Sequence, residues 1–310
     1  MEKFVILPDV TCDLGPEIRQ YFGLSEYIPG YVNIDGNEIK VDLDWQSISR
    51  EKFYKTLMDK KVKVTSASAS PEEFYQCFKK YVDLGYAVLS MTLSSKISVT
   101  HNVAVTARDR LLQENPNAKV YCLDSLRMSG SFGLLVAYAL QLQQQGKSFE
   151  EVIAWLEQNK VKVHQMGPID DLRFIARRGR ISTGKAIFGN LVGVKPMGDS
   201  NADGYVTVLS KVKGIKKAIS ATALYLKSMA KDIENQYVFI YHSDREDLAL
   251  ELKNKVEQTV NCKKIFISDV YPSCGTNIGP GMLSVYFLGE EVSADCSVEK
   301  QALLDAIANS

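Results

Sequence analysis

The 310-residue sequence has no run approaching the ~20 apolar residues that cross a bilayer, so no integral membrane insertion is expected. It has no excess of either charge: 37 Lys and Arg balance 37 Asp and Glu. A neutral chain exerts no long-range pull on a phosphate backbone, and nucleic-acid binding is not expected. The six cysteines (Cys12, Cys77, Cys122, Cys262, Cys274 and Cys296) include no Cys-x-x-Cys pair. That argues against a zinc site and a disulfide framework, and for reduced thiols in a cytoplasm. Cys12 follows a strand pattern, but no histidine neighbours it in sequence to activate a thiolate. Histidine is scarce: His101 falls inside a helix pattern, and His164 and His242 lie in or at the end of strand patterns. A structural role accounts for each. There is no Gly-x-Ser-x-Gly elbow, no phosphate-binding P-loop, and no Gly-x-Gly-x-x-Gly after a strand. No catalytic residue, metal or cofactor is therefore assigned.

What is present is an ordinary globular composition, 45% hydrophobic and 24% charged, in a chain long enough for two domains. Short apolar runs alternate with longer helical patterns, which predicts an α/β architecture. Strands are predicted at Phe4–Leu7, Ala87–Thr92, Lys119–Leu123, Val161–Gln165, Val192–Pro196, Tyr205–Leu209, Tyr237–His242, Lys264–Ser268 and Leu283–Phe287. Helices are predicted at Pro16–Phe22, Trp45–Asp59, Pro71–Leu84, Ser98–Glu114, Gly130–Gln145, Ser148–Gln158, Ile169–Arg177, Lys216–Ile233, Arg245–Gln258 and Val298–Ala308. Met1–Asp9 lacks a signal-peptide layout and reads as a first strand. Domains at 1–165 and 166–310, the second with an appended C-terminal helix, are expected to pack directly, with a ligand cleft between them.

Four loops concentrate small hydroxyl residues at the ends of strands: Asp9–Asp13, Thr65–Ser70, Thr92–Thr100 and Asp124–Gly130. Any one of these serines is explained by a cap or a turn. Four such loops are read together as a shared anion site, with Ser94 and Ser95 at a strand's carboxyl end before a helix N-terminus. A fifth segment, Ser273–Met282, has three glycines and Pro280 between two apolar runs. It reads as a tight strand connection that can present backbone N–H groups to an anion. Ser70-Pro71-Glu72-Glu73 and Ser148-Phe149-Glu150-Glu151 are helix-start signatures and receive no functional role. Arg173, Arg177, Arg178 and Arg180 form a basic segment. It serves either as cations closing a helix or as a dock for an acidic partner or a phosphate.

In their order along the chain, several segments resemble the DegV family of bacterial fatty-acid-binding proteins. They are Asp9–Leu14, Thr65–Pro71, Leu93–Ser98, Leu123–Ser125, Gly179–Ser182, Val194–Pro196, Lys211–Gly214 and Gly279–Gly281. The resemblance implies two α/β domains with a long-chain fatty acid buried between them. It implies a carboxylate met by Thr65 or Ser66 and by Ser94 or Ser95, with Asn277 and Gly279 from the last motif. Ile97, Phe188 and Met282 are candidates for the tunnel wall. It further implies a non-enzymatic carrier that presents the acid to a fatty-acid kinase, with Arg178 and Arg180 as a docking surface.

The chain departs from the family pattern. Asn277 stands where the family commonly has histidine, so its amide can donate but carries no charge. Val99 replaces a common glycine, Lys213 a common arginine, and the segment before Pro71 is one residue longer. Two other readings stay open: a hydrolase or phosphoryl-transfer enzyme using the hydroxyl loops, and a lipid-sensing regulator.

Overall fold

The computed structural model describes residues 3–177 and 193–310. The chain begins β1 (Phe4–Pro8), α1 (Pro16–Phe22), β2 (Gly30–Ile34), β3 (Asn37–Lys40), α2 (Arg50–Met58), β4 (Val64–Ser68) and α3 (Pro71–Asp83). It continues through β5 (Ala87–Thr92), α4 (Thr100–Glu114), β6 (Val120–Asp124), α5 (Ser129–Gln144), α6 (Phe149–Asn159), β7 (Val163–Pro168) and α7 (Arg173–Arg177). It ends with β8 (Val194–Ser200), β9 (Val206–Lys213), α8 (Ile215–Met229), β10 (Tyr237–His242), α9 (Glu246–Thr259), β11 (Lys264–Asp269), α10 (Pro272–Ile278), β12 (Leu283–Leu288) and α11 (Ser297–Ala308).

β1, β5 and β6 form a parallel sheet with β5 in the middle. All six residues of β5 are buried, because helices cover both faces. Period-two alternation divides the load: Leu7 and Val88 pack with Phe74, Phe78 and Ala104 of α3 and α4. Ile6 and Leu89 face the other way, into a core with Phe132 of α5 and Phe149 of α6.

The second sheet has six strands in the order β11-β10-β12-β7-β8-β9. Only β10 and β11 run parallel; the other pairings are antiparallel. Val238 and Ile240 pack with Ala249, Leu252 and Val256 of α9. Tyr237, Phe239 and Tyr241 face α5. α5 is buried at every position from Ser129 to Leu140 and packs against both sheets. An apolar surface all round a helix requires such a two-sided burial. One core therefore runs from Phe4 and Leu89 through Phe132 to Tyr241 and Tyr286. The expected division after residue 165 falls inside β7, which pairs with β12 and β8.

A third, antiparallel sheet, β3-β2-β4, was not expected from the sequence. Its hairpin turns on Asp35-Gly36, both at positive φ (49° and 90°), as a tight two-residue turn needs. β4 takes in Thr65–Ser68, which the sequence reading treated as a loop.

Three helices also differ. α2 begins at Arg50 rather than Trp45, because Ser49 caps it by accepting from Lys52 N. The Asp42 carboxylate holds the preceding turn through Gln46 N and Ser47 N. α7 spans only Arg173–Arg177. The Gly-rich stretch read as a strand connection contains α10, opened by Pro272 at its first turn. Gly275 belongs in that helix for packing: a Cβ there would lie 2.9 Å from Phe53 Cε1 and 3.0 Å from Tyr54 Oη. The helix starts at Ser70 and Ser148 are complete capping boxes with Glu73 and Glu151.

Candidate functional site

A cavity of about 510 Å³ opens where the loop after β1, strand β4, the β5–α4 loop and α10 converge. Its polar wall is made of Thr11, Ser66, Ser95, Ser98, Ser273 and Asn277. Beside it lies a smaller apolar pocket of about 40 Å³ lined in part by Ile169, Leu172, Met197 and Met282. Met128, Ile175, Val206 and Ile278 line both spaces. The site thus has a hydroxyl-rich chamber adjoining an apolar pocket across four shared apolar residues.

Two buried carboxylates position this wall. Asp9 accepts from Thr11 N at 2.8 Å, from the Thr11 hydroxyl, and from Leu93 N at 2.9 Å. It ties the first loop to the β5–α4 loop. Burial raises its carboxyl from 3.8 to about 6, against the lowering effect of those hydrogen bonds. Asp13 accepts from Ser129 Oγ at 2.6 Å and from Tyr271 N at 3.1 Å, joining the start of α5 to the approach to α10. Burial pushes its carboxyl well up.

The β5–α4 loop is held by its own hydroxyl and by a neighbour. Ser94 Oγ accepts from Lys96 N at 3.2 Å, and Asp124 Oδ1 accepts from Ser95 N at 3.1 Å. Ser94 is fully buried and does not line the cavity, whereas Ser95 does. On β4, Ser66, Ala67 and Ser68 line the cavity and Thr65 does not.

Asn277 Nδ2 donates to Ser66 Oγ at 3.0 Å and to Ser273 O at 3.1 Å. A carbonyl can only accept, so this second bond fixes the amide's orientation and commits both of its hydrogens. The Ser66 hydroxyl, accepting from Asn277, keeps its own hydrogen for the cavity. Ser273 is 6% exposed, and its buried Oγ has no hydrogen-bond partner among the described residues. The helix amides that the sequence reading offered to an anion are used internally, as with Gly275 N to Tyr271 O and Gly279 N to Gly275 O. Side chains of α10 form the wall instead. Gly279 does not line it; at φ 78° it ends α10 where a Cβ would strike the Phe174 ring at 2.4 Å.

The remaining sequence candidates lie elsewhere. Ser125 Oγ donates to Arg127 O, and Ser129 is committed to Asp13. Arg178, Arg180 and Phe188 lie outside the described residues. No histidine lines the cavity among the described residues. His101 Nδ1 lies 3.0 Å from Thr92 Oγ1. His164 is buried against Asp199 at 2.9 Å, and His242 is 3.6 Å from Asp269. Cys274 lines the cavity, but burial pushes its thiol well above the usual range, away from a reactive thiolate. Among the described residues no cluster of three or more His, Cys, Asp or Glu is placed to hold a metal. No helix among them is long and apolar enough to cross a membrane.

The sequence reading missed Ser273 as a wall residue and Met128, Ile175 and Val206 as shared apolar walls. Pro272 followed by Ser at helical spacing from Asn277 was the available signal for the first. The apolar residues come from separated elements, and no local pattern marks them.

The chain matches, over residues 3–290, the family model described as "Uncharacterised protein, DegV family". A DegV domain-containing protein of Clostridium perfringens is 32% identical over 290 residues, covering 94% of this chain and 99% of that one. One from Caldanaerobacter subterraneus is 30% identical over 287 residues, covering 93% and 99%. A DegV lipid-binding protein from Thermotoga maritima superposes with a TM-score of 0.80 at 26% identity, over 93% of this chain and 99% of that one. A second Thermotoga maritima protein, whose structure reveals a fatty acid binding function, superposes with a TM-score of 0.78 at 26% identity, over 93% and 100%. A fatty-acid-binding DegV family protein of Thermus thermophilus shares the fold, with a TM-score of 0.82 at 24% identity over 93% and 99%. The match to the family model over residues 3–290, joined by a relative above 30% identity over nearly the whole length, shows that this chain belongs to the DegV family.

Proposed function

We propose that this protein binds a long-chain fatty acid, with the carboxylate at Ser66, Ser95 and Ser273 and the acyl chain directed past Met128, Ile175, Val206 and Ile278. The observation that carries this reading is a hydroxyl-lined chamber that adjoins an apolar pocket across four shared apolar residues. An amphiphile with one polar end and a long apolar body matches that division. Burying an acyl chain releases about 0.8 kcal/mol per methylene, so a chain of roughly 16 carbons gains on the order of 11 kcal/mol before the costs of association. The hydroxyls supply orientation. The two Thermotoga maritima relatives, one a lipid-binding protein and one with a fatty acid binding function, support the same ligand class.

A hydrolase or phosphoryl-transfer reading requires a base beside a hydroxyl. Asp9 is the lone carboxylate lining the cavity among the described residues, and both its oxygens are engaged by Thr11 and Leu93. The finer proposal is a cytoplasmic carrier that presents the carboxylate to a fatty-acid kinase, docking through Arg178 and Arg180. What supports it is the ordered resemblance of the sequence motifs to the family pattern. The experiment is a titration of fatty acids into wild type and Ser66→Ala/Ser95→Ala, followed by kinase turnover with Arg178→Ala/Arg180→Ala. The carrier reading expects weaker binding in the serine variant. It expects unchanged binding but lost phosphorylation in the arginine variant. Ester or acyl-phosphate turnover by the protein alone, abolished in Ser95→Ala, would overturn it in favour of an enzyme.

A further inference from the structure

At the rim of the cavity Lys96 is exposed and, among the described lining residues, is the lone cation. No carboxylate pairs with it among the described residues, whereas Lys79 and Lys80 are paired with Asp83 and Glu26. Its backbone is fixed: Lys96 N donates to Ser94 Oγ, and Ile97 N and Ser98 N donate to Ser94 O. The adjacent Asn277 contributes no charge, and both its amide hydrogens are engaged by Ser66 and Ser273. What Asn277 has left is Oδ1, an acceptor, which does not attract a carboxylate. α4 begins on the same wall with Val99 at its N-cap and no side-chain cap, so the positive end of its dipole borders the cavity.

We propose that Lys96 is the counter-charge that selects an anionic head group at this cavity, while Asn277 acts only by positioning Ser66. The inference rests on the fatty-acid reading and refines it. The wall hydroxyls already favour a carboxylate over an alcohol through charge-assisted bonds; a lysine at the rim adds a long-range, salt-sensitive preference that hydroxyls do not supply. The interaction is partly solvent-screened, which limits it to a few-fold and makes it salt-sensitive.

The test compares palmitate with hexadecanol, each titrated into wild type, Lys96→Met, Lys96→Glu and Lys96→Arg. Lys96 is exposed, so these variants are expected to keep the fold, which thermal unfolding checks. The expected result is a roughly fivefold weaker affinity of Lys96→Met for palmitate, a greater loss in Lys96→Glu, and recovery in Lys96→Arg. Hexadecanol affinity is expected to stay within about twofold throughout, and ~1 M salt to bring wild type and Lys96→Met to similar palmitate affinity. Equal palmitate binding by wild type and Lys96→Met overturns the role of Lys96 and leaves the fatty-acid reading standing. Failure of wild type to bind either ligand overturns the fatty-acid reading, and this inference with it.

Discussion

Asn277 Nδ2 lies 3.0 Å from Ser66 Oγ, joining α10 to β4 across 211 positions of sequence. Because the same amide also donates to Ser273 O, Ser66 is the acceptor in this pair and its hydroxyl hydrogen is left to donate to a ligand. Removing Asn277 frees Ser66 to rotate. Asn277→Ala is expected to weaken fatty-acid binding by about 1 kcal/mol, close to fivefold, through loss of one oriented hydrogen bond. Calorimetric titration checks this. Since the role is positional, both an acid and its alcohol are expected to lose affinity, the acid more because its bond to Ser66 is charge-assisted; a loss confined to the acid contradicts it.

Ile278 lines both the polar chamber and the apolar pocket and is half-buried. Ile278→Trp is expected to narrow the passage while its edge remains partly in solvent. Binding of a ~16-carbon acid is expected to fall at least tenfold, because most of its methylenes lose their burial. An acid of about eight carbons keeps most of its affinity. Titrating a ladder of chain lengths reads this out, and a uniform loss across the ladder would place the acyl chain elsewhere.

Asp9 makes the stability of the fold depend on pH. Burial raises its carboxyl to about 6 from the ordinary 3.8, so the folded chain favours the protonated form. Its contribution is complete below about pH 4 and is lost as pH rises through about 6, a difference of about 3 kcal/mol. Asp9→Asn titrates nothing at this position. Urea unfolding from pH 4 to 8 is expected to show the gap between wild type and Asp9→Asn changing by about that amount, with wild type losing relative stability towards pH 8. A gap that does not change with pH contradicts the assignment.

The elements readable from sequence were those whose own residues decide them. β5 and β10 are apolar runs bounded by polar turns, and they appear over Ala87–Thr92 and Tyr237–His242, as expected. α1 starts at Pro16 and stops at Gly23, whose φ of 73° suits a glycine. The losses have physical causes. Gly275 looked like a loop residue because its reason for being there, the rings of Phe53 and Tyr54, lies more than 200 positions away. Asp35-Gly36 did signal a hairpin and was not read as one, and β4 is too rich in serine to show a strand pattern. At the site, residue types were legible but directions were not. Thr65 and Ser66 differ by one step on a strand, and Ser94 and Ser95 by one step in a turn, yet Ser66 and Ser95 alone of these four line the cavity. The family resemblance supplied the order of the motifs; the geometry supplied which side of each motif faces inward.

The proposed function places an acyl chain in the cavity with its carboxylate at the serine wall. Denaturing extraction of the purified protein, followed by mass spectrometry of the released small molecules, tests it most directly. The account predicts a fatty acid at close to one equivalent per chain. An extract without fatty acid, together with no binding when fatty acids of varied length are added back, would contradict it.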